Sequence, residues 1–495
     1  MAKICLSLTG KTLVEDLEIL ESNRKFIDMA ELRVDCLDPD ERFHIRSFPD
    51  LAGLPVILSI RRAIDGGSFT GGDGSRITLL AKGLAYADAN RRRNFAYVDL
   101  EEDLNVPSLE EAARTYGTRI IRSMYKQDGI EHDTAEKLNK LKRTGDELVK
   151  ASIASHSLYD VLKVFRLAKE TTTTEKILQC TGKFGIFSTV LAEHLGSQIS
   201  YVYPTEDEEG PKAEELVVNC RFRDINKDTK IYALSGFPQV NKDYPYFFNS
   251  VFTNEQINAV YVPIPADSLH SLMRLADEIK IAGISISSPY NEDIIPYLTT
   301  HSKEVDLIGS CNCIVKGALG WMGYNTDAES FTTSILNFHG GKDLRRHKIT
   351  IIGAGSVARA VAAELYRLKA KALILNRNSA RARRLAELYK FAWASLDASG
   401  AELMEKYSDL IIHCSPIGSG SHPNTDAMEY YEFMGNETVM DINYKPEKTP
   451  FLKRAEAAGC RILNGYDMLY RQACKQYEHF MNREFPPSLF SRVEL

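Results

Sequence analysis

Short runs of Val, Ile and Leu punctuate the first two hundred residues, each followed by a polar turn and a stretch with apolar residues at helical spacing. The pattern predicts strands at 3–8, 29–34, 55–60, 96–100, 119–123, 147–153, 176–180 and 200–202. Helices are expected between them, for example at 109–116, 134–142 and 159–168. Each strand run is apolar throughout rather than alternating, as a parallel strand covered on both faces requires. Eight such units in just over 200 residues fit a closed (β/α)8 TIM barrel. A doubly wound open sheet would more naturally use six, and the barrel is the preferred reading.

Downstream the rhythm changes. The acidic stretch Glu206-Asp207-Glu208-Glu209-Gly210-Pro211 reads as a solvated loop, and residues 221–230 as a linker. A strand at 230–234 opens a second α/β segment that runs to about residue 336. A third begins at His347-Lys348-Ile349-Thr350-Ile351-Ile352, a strand running straight into glycines. A last helix, 466–482, carries apolar residues at helical spacing.

Composition narrows the function classes. With 495 residues, 44% hydrophobic and 26% charged, the chain has material for several cores. A net charge of −6 without a basic run excludes nucleic acid or an anionic membrane as the main partner. No apolar stretch approaches the ~20 residues of a bilayer span, and Met1-Ala2-Lys3-Ile4 leads into a strand rather than a signal peptide. Nine sparse cysteines with no Cys-x-x-Cys pair suit reduced thiols in the cytoplasm. Cys311 and Cys313 read as packing, so no metal site is expected.

Chemistry concentrates at two places. Gly353-Ala354-Gly355-Ser356-Val357-Ala358 follows a strand and opens a helix, the order of a Rossmann dinucleotide turn. There the first glycine makes the turn, the second lets the backbone approach a pyrophosphate, and small Ala358 lets helix and strand pack closely. The next strand ends in Asn376-Arg377, where an acidic residue would select NAD; Asn and Arg suit the 2′-phosphate of NADP. In the barrel, Lys150 lies inside the apolar strand Leu148-Val149-Lys150-Ala151-Ser152-Ile153. Lysine is rarely buried without a partner. Glu31 and Arg33, two apart, share a face, and Arg61 ends the third strand. Desolvation and the like charge of two arginines would favour a neutral amine, able to attack a ketone and form a Schiff base. The other reading pairs Lys150 with Glu31 or Glu101 as ionic filling.

Residues 1–222 resemble the type I 3-dehydroquinate dehydratase family through Glu31-Leu32-Arg33-Val34-Asp35, Arg61 with Gly66-Gly67, and Lys150. Beyond residue 229 the chain resembles shikimate dehydrogenase. There the carriers are Gly236-Phe237-Pro238, Asn312, Gly323-Tyr324-Asn325-Thr326-Asp327, the glycine turn, Asn376-Arg377, Asp441-Ile442-Asn443-Tyr444-Lys445-Pro446 and Met468-Leu469-Tyr470-Arg471-Gln472. The resemblance implies a dehydratase barrel at 1–222, a dehydrogenase substrate-binding domain at 229–337, a Rossmann NADP domain at 338–465 and a helix at 466–495 packing back on the substrate domain. It implies two successive steps of the shikimate pathway. Lys150 would form the Schiff base with 3-dehydroquinate, and Glu31, Arg33 and Arg61 would hold its oxygens. NADPH would then reduce 3-dehydroshikimate to shikimate, with Asp327 in the proton-transfer pair and Asn312, Tyr444 and Gln472 positioning hydroxyls or the carboxylate. Partners are these small molecules, and the oligomeric state is left open.

Several positions depart from the family pattern. Tyr125 stands where a proton-carrying His is expected, with His132 farther on at a helix start. Thr189 replaces a carboxylate-binding Arg, and the Ser and Gln of the last barrel loop have no match near 204–211. Asn291 stands for the dehydrogenase lysine, and Lys242 and Tyr244 for two substrate-binding serines ahead of Pro245 and Asn249. Tyr125, acidified by Lys126 or Lys150, and Lys242, as a carboxylate ligand or in the missing lysine's role, are candidate substitutes. The departures leave two alternatives: a degenerate homologue that binds NADP or a shikimate-like ligand as a sensor or scaffold, or a dehydrogenase retuned to another hydroxy acid such as quinate.

Overall fold

The computed structural model describes residues 1–85, 88–205, 210–237, 243–341 and 343–490. The acidic loop at 206–209 and the positions Pro238 and Lys242 lie outside the described residues. Two compact units divide the chain, Met1–Ile281 and Ala282–Leu495.

The first unit begins with eight strands: β1 (Lys3–Leu8), β2 (Met29–Arg33), β3 (Val56–Ser59), β4 (Tyr97–Glu101), β5 (Arg119–Lys126), β6 (Leu148–Ala154), β7 (Lys176–Thr181) and β8 (Ile199–Val202). Neighbours pair in the order β7-β6-β5-β4-β3-β2-β1-β8. Every pairing is parallel. A bridge between Lys176 and Ser197 brings β7 beside the start of β8, so the ring is nearly closed. The floor of the ring takes Cys5, Met29, Ile57, Tyr97, Ile121, Leu148, Ile177 and Ile199, one from each strand, packed with Tyr201 and Tyr203. A barrel interior is thus a filled core, and the pattern of apolar runs is explained by it. Crossover helices have local stop and start signals: Ser157 and Asp160 form a capping box at the head of the helix Leu158–Glu170. The unit continues with the parallel pair β9 (Lys230–Gly236) and β10 (Ala259–Pro265) and the helix Leu269–Glu278.

The second unit opens with β11 (Ile281–Ile286), β12 (Thr300–His301), β13 (Cys313–Gly317) and β14 (Gly320–Tyr324). Here β13 runs antiparallel to both β11 and β14. Six parallel strands follow: β15 (Lys348–Ile352), β16 (Lys371–Asn376), β17 (Ala392–Ser395), β18 (Leu410–His413), β19 (Thr438–Asp441) and β20 (Arg461–Leu463). Their order is β17-β16-β15-β18-β19-β20. Ile349 and Ile351 belong to one core and Ile352 to the other, so both faces of this sheet are covered by helices. The order reverses direction at β15, and the crevice at that switch point is where such sheets bind ligands. The helix Tyr466–Met481 lies against the helix Asp327–Phe338 and against β13. Among the described residues no helix is long and apolar enough to cross a membrane.

Candidate active sites

One step above the barrel floor the interior turns polar, because inward positions recur every second residue along a strand. Lys150 stands there, 1% exposed. Its Nζ donates to Tyr201 Oη at 2.9 Å, to Asp99 Oδ2 at 3.1 Å and to Glu31 Oε1 at 3.4 Å. Arg61 Nη2 donates to the same Glu31 oxygen at 2.7 Å. Burial opposes ionisation of Glu31, but Arg61, Lys150 and Arg33 hold its pKa down to about 2. The phenol of Tyr201 is pushed well up by burial and by Glu31, so it is a neutral hydroxyl at physiological pH. The groups nearest Nζ are therefore two carboxylates and a phenol, not two arginines. The expected like-charge environment is corrected by this pairing, because Arg33 is taken by Asp35 and Arg61 shares Glu31 with Lys150. Arg33 is bidentate to Asp35, with bonds of 3.0 and 2.8 Å, and Asp35 also accepts from Ser68 N at 2.9 Å. That ties β2 to the loop at the barrel mouth. Of the residues expected to hold substrate oxygens, Glu31 and Arg61 meet Lys150 and Arg33 is committed to the loop.

Ionic filling with Glu31 is present, but the second acid is Asp99 rather than Glu101. Asp99 and Tyr201 escaped the sequence reading. An acid two residues before Glu101 in an apolar strand was a usable signal for the first; nothing local marks the second. A cavity of about 20 Å³ remains, lined by Arg61, Asp99, Glu101, Tyr125, Lys150 and Ser152 among others, and it has room for about one water. Asp99 Oδ1, buried in its wall, has no hydrogen-bond partner among the described residues. Tyr125 overhangs this space, so near Gly66 that a Cβ there would lie 3.0 Å from its ring. Lys126 Nζ lies 3.8 Å from Glu131 Oε2. Thr189 is buried in a short helix, and its carbonyl accepts from Ser200 Oγ at 2.8 Å.

In the second unit Asn312, Asp327 and Gln472 converge from the residue before β13, a helix start and the last helix. Asn325 sets the helix start: its Oδ1 accepts from the backbone N–H of Asp327 at 3.0 Å and of Ala328 at 3.3 Å. Asp327 Oδ1 then accepts from Asn312 Nδ2 at 2.7 Å and Gln472 Nε2 at 2.6 Å. Burial pushes the Asp327 carboxyl up to about 6, against the Asn312 hydrogen bond. Thr326, whose N–H donates to Asn312 Oδ1 at 2.9 Å, and Gln476, which donates to Thr326 Oγ1 at 3.4 Å, extend the cluster. Gln476 also accepts from Ser285 Oγ. Its place one helical turn after Gln472 was the missed signal. Tyr444 lies on the loop after β19, with Lys445 Nζ 5.6 Å from its ring centre.

Asn291 is a structural tie: its Nδ2 donates to the carbonyls of Ile286 at 2.8 Å and Cys311 at 3.4 Å. In the first unit Asn249 is likewise held by backbone, donating to Asn219 O and Tyr261 O and accepting from Tyr261 N. Tyr244 is buried, its ring 5.9 Å from that of Phe248.

At the switch point Gly353 has φ +122°, and a Cβ there would sit 2.8 Å from Cys414 O, at the end of β18. Only glycine permits that turn. Gly355 caps the helix Ser356–Arg367, and a Cβ on it would meet nothing within 4 Å. Open space over a helix N-terminus with free N–H groups suits a pyrophosphate. Ala358 is fully buried in the core beneath. Asn376 ends β16 and Arg377 is exposed on the loop after it. The glycine turn, Ser356, Val357, Asn376 and Arg377 therefore fit a phosphorylated dinucleotide.

Comparisons with known proteins agree along the chain. The family model for type I 3-dehydroquinase matches residues 4–222. That for the shikimate dehydrogenase substrate binding domain matches 239–314, and that for shikimate / quinate 5-dehydrogenase matches 336–419. A bifunctional 3-dehydroquinate dehydratase/shikimate dehydrogenase of Arabidopsis thaliana, described as chloroplastic, is 24% identical over 94% of this chain and 79% of its own. The shikimate biosynthesis protein AroDE of Chlamydia muridarum is 28% identical over 80% of each chain. An NADP(+) shikimate dehydrogenase of Desulforamulus reducens is 30% identical over 56% of this chain and 97% of its own. The chain belongs to the shikimate dehydrogenase family, in the form fused behind a type I 3-dehydroquinase barrel.

Proposed function

We propose that the barrel dehydrates 3-dehydroquinate to 3-dehydroshikimate and that the second unit reduces this product to shikimate with NADPH. The observation that carries the reading is a lysine enclosed by a ring of parallel strands, on the same chain as a buried carboxyl cluster beside a dinucleotide turn. In the barrel, Asp99 takes a proton from the Lys150 ammonium, and the freed amine adds to the substrate ketone. Loss of water gives an iminium, which acidifies the adjacent C–H and so opens the way to elimination. The cavity accommodates the six-membered ring only as the contacts of Lys150 with Asp99 and Glu31 part. Arg61 and Glu31 then take substrate oxygens, while Arg33 holds Asp35 and the mouth loop.

In the second unit NADPH supplies hydride to the ketone carbon, and the carbonyl oxygen needs a proton. Asp327, held by Asn312 and Gln472, carries it. Amide donors on this cluster suit a substrate recognised by its hydroxyls. Asn291 is held by backbone, so among the described residues Asp327 carries this proton alone, and one missing proton-transfer group slows such a step by ~10²–10⁴-fold. The reading places the chain in the cytoplasm, consistent with nine sparse cysteines, eight of them buried.

Absorbance of the reduced cofactor tests the second step, with shikimate and NADP mixed with the protein; silence alongside tight NADP binding would instead favour a sensor. For cofactor choice, Arg377→Ala should raise KM for NADP about tenfold, the value of one exposed charged hydrogen bond, and leave KM for NAD unchanged. Equal loss with both cofactors would remove Arg377 from the 2′-phosphate site.

A further inference from the structure

Glu101 and Lys150 stand level with each other two strands apart. The register pairs Glu101 with Ser123 on β5, and Ser123 with Lys150 on β6. At ~4.8 Å per strand their Cα atoms are roughly 10 Å apart. Paired residues on neighbouring strands face the same side, and a serine between them is too short to separate side chains as long as Glu and Lys. Both line the same small cavity. Glu101 is 7% exposed, and its Oε2 accepts from the buried Arg76 Nη1 at 2.6 Å. Burial first, then the charge of Asp99, push its carboxyl up to about 7, with Arg76 opposing. A group with that affinity exchanges protons readily at neutral pH.

Resting on the dehydratase reading above, we propose that Glu101 is the proton carrier of the barrel reaction, in the role that the missing histidine leaves open. The Lys150 amine adds to the ketone carbon, the ketone oxygen departs as water, and a C=N⁺ bond forms. The Glu101 carboxylate takes the proton from the adjacent carbon. The C–H electron pair becomes the enamine C=C, and the C=N⁺ pair returns to nitrogen. That nitrogen pair then re-forms C=N⁺ as the double bond shifts one carbon along and the C–O bond breaks. The proton held by Glu101 leaves on that oxygen as the second water. Hydrolysis of the iminium frees Lys150 and releases the conjugated enone, with no change of oxidation state.

The test uses the full chain, 3-dehydroquinate and two readouts: ultraviolet absorbance of the enone, and the mass of the borohydride-trapped adduct on Lys150. Glu101→Gln keeps an oxygen to accept from Arg76. It should trap adduct in a yield within about twofold of the parent while turnover falls ~10²–10⁴-fold and the rate limb near pH 7 disappears. Glu101→Asp should recover part of the rate with a displaced limb. Trapping with turnover within about threefold of the parent overturns the proposal. If Glu101→Gln fails to fold, Glu101→Asp decides, since it keeps a carboxylate for Arg76; an unmoved rate and limb then overturn it. A parent chain that neither traps nor eliminates overturns the dehydratase reading itself, a result distinct from the others.

Discussion

Replacing Lys150 with Met is expected to abolish borohydride labelling by 3-dehydroquinate and to cut dehydratase turnover by ~10⁵-fold or more, the scale set by removing a covalent nucleophile. The same change should weaken the fold. Lys150 is the ammonium shared by Glu31 and Asp99 in a fully buried site, and removing one partner of a buried ion pair costs about 3–5 kcal/mol because the other charge stays behind. The sign with pH follows from Glu31. Its folded pKa lies at about 2, below the ordinary 4.5, so the stability it contributes is present above pH ~4.5 and is lost as pH falls towards ~2. The Met variant should therefore be least stable relative to the parent near pH 7, with the gap closing as the carboxylates protonate. Urea melts at pH 7 and pH 3 measure this. An equal gap at both pH values would mean the lysine acts by packing and not by charge, and residual specific labelling would remove it as the nucleophile.

Asp327→Asn separates activity from stability in the other unit. Turnover of shikimate with NADP should fall ~10²–10⁴-fold, as expected for loss of an acid/base group. In the parent, oxidation needs the carboxylate and should rise with pH through about 6, while reduction needs the acid and should fall through the same range. Stability should move the opposite way to activity. The folded pKa of Asp327 is raised from 3.8 to about 6, so its favourable contribution is full below pH ~3.8 and lost as pH rises through ~6. At pH 8 the parent buries a charge at an expense of about 3 kcal/mol, at 1.36 kcal/mol per pKa unit. Asn keeps the shape and one acceptor for Asn312 and Gln472 and carries no charge. The variant should melt higher than the parent at pH 8 and no higher near pH 4. A variant less stable at pH 8 would show that the two amide hydrogen bonds outweigh the buried charge.

The departures from family pattern take different physical forms. Asn291 fills its position by bonding backbone carbonyls that a lysine would leave for other donors. Tyr244 is core packing beside Phe248. Tyr125 lines the small cavity beside Lys150 and packs close to Gly66. Each is legible as a substitution in the sequence, but its consequence depends on what the new side chain touches.

The alternation of short apolar runs with amphipathic helices, and the strand running into Gly353-Ala354-Gly355, determined the barrel and the Rossmann sheet, because both signals are local: they reflect burial on two faces of a strand and a φ only glycine accepts. Lys150 and Asp327 were visible for the same reason, as charged groups inside apolar or motif-bearing segments. Tertiary structure alone decided their company. Asp99 and Tyr201 reach Lys150 from strands about fifty residues away in either direction, Arg33 is claimed by Asp35, and Glu101 comes level with Lys150 through the register of three strands. Protonation depends on the charges within a few ångströms and on the water excluded around them, and ring closure, rather than spacing along the chain, sets both.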